Sequence, residues 1–456
     1  MAHSLRWGLR IGITAATLSV GGLWGAYTVA QTAAEQAFAQ AIERLRAALP
    51  AETVLEHGAV SADPVSGRLT VADVAFGPRA TPQHRLRVPR LVIEGLQPRG
   101  AGIGQISAEA MTLDLVEGGS AYGALLVGSF SLSGLALPAE GQPFDPAAIT
   151  LDGLELRGIE LTPALPGDGP AGRIGRIAAG GIGGDRTDRL EVEGIDLRVP
   201  QGSSIGERVR IARIAGSNLL LLQPGLALRN GDTPPMPRGL SRLSIEGLSM
   251  HEGDTLALRM ARLETEGELA NGDLDRPRGT LSIDGFEMPV SRSPSLFVLR
   301  DTPVQASLRV AAEADIAAGD MTLRQFRLEL AAMGTFELAL RMSGLGPKFS
   351  APTEGRLHGF IFRYTDAGLV ARALAEGAKQ AGMRAEELRE QIVQMSPMLF
   401  SGPGAEPNLR ALRAFLANPG SLTVTAAPAT PVRMSELERL SPDGVTRLLN
   451  ITVTSP

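Results

Sequence analysis

The sequence predicts a mainly β protein: an N-terminal transmembrane helix, a long curved antiparallel β-sheet or repetitive β-groove, and a C-terminal α/β cap. Three observations predict it. Residues 11–34 carry no charge. From about Ala59 to Tyr364 apolar residues recur with a period of two. After Thr365 the period returns to that of helices. These divide the chain into an N-terminus (1–10), a span (11–34), a helical exit (35–50), a β region (59–364) and a mixed α/β region (365–456).

The span comes first. As a helix, residues 11–34 would extend about 36 Å at ~1.5 Å per residue, enough for a hydrocarbon core of roughly 30 Å. Arg6 and Arg10 precede the run and Glu35 follows it. The positive-inside rule then leaves the N-terminus in the cytoplasm and exports the rest. Trp7, Trp24 and Tyr27 fall near the two expected interfaces. Thr28-Val29-Ala30 also offers small residues for a signal-peptide cleavage after Ala30. The length of the run favours retention. Phe38, Ile42, Leu45 and Leu49 then recur at helical spacing until Pro50, which predicts that the helix continues beyond the membrane.

In the β region, Phe326, Leu328 and Leu330 alternate with Arg327 and Glu329. Phe336, Leu338, Leu340 and Met342 alternate with Glu337, Ala339 and Arg341. Residues 331–335 between them read as a hairpin connection. Such alternation gives one apolar and one wet face, as in an antiparallel sheet packed on one side. A short element also recurs: Ile93-Glu94-Gly95-Leu96, Leu132-Ser133-Gly134-Leu135, Leu151-Asp152-Gly153-Leu154, Val192-Glu193-Gly194-Ile195, Ile245-Glu246-Gly247-Leu248 and Ile283-Asp284-Gly285-Phe286. Its glycines are expected at bulges or corners where the sheet curls. The acids before them are expected at solvent-facing positions. The tracts 100–104 and 180–184 read as glycine-rich turns.

The last ninety residues predict helices from Asp366, as a cap, to about Gln380, from Arg384 to Leu399, and from Asn408 to Leu416. In the second, Leu388, Ile392 and Met395 share one face. Strands are expected at 422–425 and 451–453. Ser441-Pro442 should open a short helix through Leu449.

Composition removes several functions. The chain has 456 residues, 44% of them hydrophobic, and a net charge of −5 with no basic patch, so no nucleic-acid partner is expected. Cysteine is absent, which removes disulfides, thiolate nucleophiles and thiolate metal sites. The histidines His3, His57, His84, His251 and His358 are scattered beyond metal-ligand spacing. Gly102-Ile103-Gly104 begins like a dinucleotide fingerprint, but Ser107 stands at the third glycine position. Asn271, Asp273 and Asp275 begin like a calcium loop, but Arg276 and Ser282 replace the required glycine and glutamate, so a polar hairpin tip is the better reading. No catalytic residue, cofactor-binding residue, metal ligand or cofactor is assigned, and no enzyme is expected.

This organisation, with one membrane helix, a helical exit, the segment Gly58-Ala59-Val60-Ser61 through Leu69-Thr70-Val71-Ala72-Asp73-Val74, and many strands in the style "Leu-x-Ile-x-Gly-Leu", resembles the AsmA-like and YdgA-like envelope proteins of Gram-negative bacteria. The resemblance implies a single-pass inner-membrane protein with a periplasmic β-groove that handles or transports lipids, with membrane lipids as partners. About fifteen strands at ~4.8 Å spacing would make such a sheet on the order of 70 Å long. Inward positions such as Leu338 and Leu340 would line it. The alternative is a non-enzymatic structural or regulatory envelope protein that presents β-domains to a protein partner.

Overall fold

The computed structural model describes residues 53–456 apart from 64–65, 81, 83–84, 97–101, 118–119, 137–149, 165–170, 184–185, 199–206, 221–238, 270–275, 290–302, 347–349, 352–353, 399 and 401–404. The expected span 11–34, its continuation 35–50 and the hairpin tip at 271–275 lie outside the described residues. Among the described residues no helix is long and apolar enough to cross a membrane. The protein is mainly β, and every strand pairing described below is antiparallel. It divides into two compact units: residues Met1–Pro235 with Met250–Asp254, and residues Met236–Ser249 with Thr255–Pro456.

In the first unit, β1 (Thr53–Glu56) and β2 (Val60–Asp63) both pair with β3 (Arg68–Pro78). A meander follows through β4 (Leu86–Leu96), β5 (Gly102–Glu117), β6 (Ser120–Ala136), β7 (Thr150–Pro163), β8 (Ala171–Gly183), β9 (Arg186–Arg198) and β10 (Arg208–Leu220). Register carries the alternation across the strands. One row runs Leu69, Ile93, Ile106, Leu132, Leu154, Ala179, Leu190. Between β3 and β7 this face is a filled core: Ile93, Ile106 and Leu132 are 0%, 1% and 3% exposed.

The second unit begins with β11 (Ser241–Glu252), whose last residues belong to the first unit, and β12 (Thr255–Leu269). It continues through β13 (Pro277–Met288), β14 (Val304–Asp315), β15 (Asp320–Leu330), β16 (Gly334–Ser343) and β17 (Arg356–Asp366), each paired with the next from β12 onward. Then come α1 (Leu369–Ala381), α2 (Ala385–Met395), a 3-10 turn (Ser396–Met398), α3 (Ala405–Ala417), β18 (Ser421–Ala426), β19 (Val432–Arg433), α4 (Met434–Leu437), α5 (Pro442–Leu448) and β20 (Ile451–Thr454). Strand β18 pairs with β17, β20 pairs with β18, and β19 extends the other end of β17.

The connection between β15 and β16 is the turn at 331–333, as the alternation predicts. Five of the six motif glycines adopt positive φ: Gly95, Gly134, Gly194, Gly247 and Gly285. At Gly285 the register with β14 shifts between Ile283 and Phe286, and a Cβ would lie 2.7 Å from Ala261 Cβ. Only a residue without a Cβ fits this bulge. Gly153 does not adopt positive φ, whereas Gly158 and Gly181 do.

Other expectations need correction. Gly180 to Gly183 and Gly102 to Gly104 lie inside β8 and β5 rather than in turns. Here glycine permits close strand contact: a Cβ on Gly104 would stand 3.3 Å from the Glu94 carbonyl oxygen. The second C-terminal helix ends at Met395, where the chain tightens into the 3-10 turn. Its apolar stripe is not a buried face: Ile392 and Met395 are 37% and 54% exposed. Strands β1 and β19 and helix α4 were not anticipated.

Candidate apolar ligand-binding face

In the second unit the alternating residues assemble three apolar rows. The first runs Leu281, Val310, Phe326, Leu338, Phe362, Val424 and Val453. The second runs Leu263, Ile283, Leu308, Leu328, Phe336, Tyr364 and Leu422. The third includes Leu323, Leu340, Phe360, Ala426 and Ile451. Both expected inward residues, Leu338 and Leu340, stand in these rows. From β13 to β16 every named side chain is only half-buried. An apolar face of this breadth is the type that packs against protein, membrane or ligand.

The opposite face is charged. Ser282, Arg309, Arg327, Glu337 and Arg363 follow one another across β13 to β17. Arg327 pairs with Glu329 at 2.6 Å and with Glu337 at 2.8 Å. Arg324 reaches Glu313 at 2.5 Å, and Arg276 reaches Asp315 at 3.1 Å. Each exposed pair contributes little stability, on the order of 0–1 kcal/mol. Together they make this face wet and penalise a one-residue slip, which would turn the charges onto the apolar side. The motif acids belong to this pattern: Glu94 pairs with Arg68, Glu193 lies 3.7 Å from Arg176, and Glu246 lies 3.9 Å from Arg262.

The charged face of the first unit is more tightly paired. Glu191, 6% exposed, meets Arg176, Arg189 and Arg213 at 3.3, 2.8 and 2.6 Å. Hydrogen bonds from Arg189 and Arg213 hold its carboxyl down to about 2. A recess on this face, lined by Arg90, Ser107, Glu109, Ser129, Ser131 and Glu155, has a volume of about 210 Å³. That is below the ~300–1,000 Å³ usual for ligand pockets.

The apolar rows end under helices. Phe336 stacks on Tyr364 with centroids 4.7 Å apart, and Phe415 of α3 meets Tyr364 edge-on at 6.0 Å. The Tyr364 hydroxyl lies 2.7 Å from Met333 O and 2.5 Å from Asp366 Oδ1. Burial, with the Asp366 carboxylate beside it, pushes the phenol well above its ordinary value. Burial opposes ionisation of Asp366 itself. Hydrogen bonds from Tyr364 and from the N–H groups of Val370, Gly368 and Leu369 outweigh this and hold it below the usual range. Asp366 thus satisfies the first turn of α1, as the sequence anticipates, from the last residue of β17. Ser441 likewise caps α5, accepting from Gly444 N at 3.2 Å.

Among the described residues no three His, Asp or Glu side chains gather where a metal ion could be held. The three rows of the second unit offer apolar contact area. A family model described as an uncharacterized protein matches residues 327–456, from β15 through β20. None of the curated proteins matches the chain.

Proposed function

We propose that this chain is an inner-membrane-anchored periplasmic protein, allied to the AsmA-like and YdgA-like envelope proteins, that holds lipid acyl chains against the apolar face of β12–β17. The observation that carries this reading is the half-buried state of the rows through Phe326, Leu338 and Phe336, backed by an opposite face on which Arg309, Arg327, Glu337 and Arg363 follow one another. An acyl chain lying on these rows gains about 0.8 kcal/mol per buried methylene. The charge-free run 11–34 supports the anchor, and its position ahead of β1 would start the β-body close to the bilayer.

Native mass spectrometry of the full chain, released from gentle detergents, tests the proposal. Lipid adducts are expected on the wild type and lost in Leu338→Arg and Leu340→Glu. Adducts retained in a folded Leu338→Arg chain, or absent from the wild type in several detergents, would contradict it.

A second reading is favoured by the filled core of β3–β7, where Ile93 and Ile106 leave no room for a ligand. It is a non-enzymatic structural or regulatory envelope protein that presents β-domains to a protein partner. Under that reading neither substitution changes what co-purifies, because no lipid does.

A further inference from the structure

Strand β20 lies beside β18, with Val424 opposite Val453 and Ala426 opposite Ile451. Its four residues, Ile451, Thr452, Val453 and Thr454, are all β-branched and uncharged. An edge of that composition is prone to pair with another strand unless something covers it.

Asn408, in the first turn of α3, covers it. Its Nδ2 donates to Ile451 O at 2.9 Å, and its Oδ1 accepts from Val453 N at 2.8 Å. Asn408 is 5% exposed and one of four buried polar residues among those described. A single side-chain amide therefore supplies a donor and an acceptor to backbone groups two residues apart, as an adjoining strand would. The two contacts also fix which way the amide faces, since the reverse would set donor against donor. Asparagine is a poor helix former and costly to bury without partners. An apolar residue is the usual occupant of a buried helix position, as Leu409 and Phe415 of the same helix show at 6% and 4% exposed. Helix propensity and core packing thus both disfavour asparagine, while the strand edge requires an amide.

We infer that Asn408 is an edge guard, which occupies the place of a neighbouring strand at β20 and keeps the β20 edge of a second copy of this chain from pairing there. A two-fold β20–β20 contact is the natural self-pairing, because an antiparallel strand edge complements itself about a two-fold axis.

The test uses the full chain in mild detergent, read by sedimentation velocity and by hydrogen exchange at the Val453 amide. Asn408→Leu removes both hydrogen bonds and keeps the volume. It is expected to give a concentration-dependent dimer and, at dilutions where it is monomeric, exchange at Val453 faster by roughly tenfold or more. Asn408→Asp keeps the acceptor for Val453 and should change exchange less. Adding Thr452→Lys to Asn408→Leu places a charge on the edge and should restore the monomer. A monomeric Asn408→Leu chain with unchanged Val453 exchange would overturn the inference, as would a dimer indifferent to Thr452→Lys. Should Asn408→Leu fail to fold, the wild type still decides. Val453 must exchange no faster than the amides of α3, and rapid exchange at Val453 beneath a protected α3 would equally overturn the guard.

Discussion

Strands β3–β7 and strands β12–β17 are written in the same alternating pattern, yet their apolar faces meet different fates. Ile93, Ile106 and Leu132 are enclosed by side chains from β1 through β8. Leu308, Leu328 and Leu338 stand in rows of equal apolarity and are only half-buried. Alternation specifies that a face is apolar, while coverage depends on what the rest of the chain brings to it. Where the chain brings a helix, as α3 does at Tyr364 and Val453, burial reappears: these residues are both 6% exposed.

The contrast can be tested by energetics. Ile106→Ala should cost about 2–5 kcal/mol in urea unfolding, since it leaves a cavity in a filled core. Tyr364→Phe removes the hydroxyl that serves Met333 O and Asp366, and should cost about 1–3 kcal/mol. Leu338→Ala should cost roughly 1 kcal/mol, because a half-exposed side chain loses less burial and leaves no enclosed void. Equal losses at Ile106 and Leu338 would break the comparison. The smallest effect is expected at Ser441→Ala, about 0.5–1 kcal/mol, confined to the cap of α5.

The charged faces offer a second contrast, in pH. Glu191 has an ordinary value of 4.5 and is held at about 2 by its arginines. The folded chain therefore binds fewer protons than the unfolded chain between those values. This contribution is complete above pH 4.5 and is lost as pH falls toward 2. Glu155 on β7 and Asp196, on the same strand as Glu191, are shifted in the same direction by hydrogen bonds from Arg176 and Arg208. Acid titration followed by hydrogen exchange should show β7–β10 loosening across this window, and Glu191→Gln should flatten the profile.

Much of this architecture is legible in the sequence. The β15–β16 hairpin follows from Phe326, Leu328, Phe336 and Leu338 around a small-residue turn. The carboxylate that serves the first turn of α1 follows from Asp366, although the helix itself starts at Leu369, behind Gly368, and the start of α5 follows from Ser441-Pro442. Other features are not local. β1 has only four residues, too few to show a period. The glycines at 180–183 read as a turn, because what places them in a strand is the close approach of β7 and β9. The duty of Asn408 depends on residues more than forty positions away. The open face between β12 and β17 was legible as apolar through Leu338 and Leu340, but its half-burial was not.

Adjacent residues of β17 give the most direct test of whether that face holds lipid. Phe362 lies in an apolar row, while Ile361, 51% exposed, stands beside Arg363 on the charged face. A photoreactive phenylalanine analogue placed at each position in turn, irradiated in membranes and weighed by mass spectrometry, reads which face touches acyl chains. The lipid-holding account predicts a lipid adduct at 362 and none at 361. Adducts at neither position, or equally at both, would contradict it.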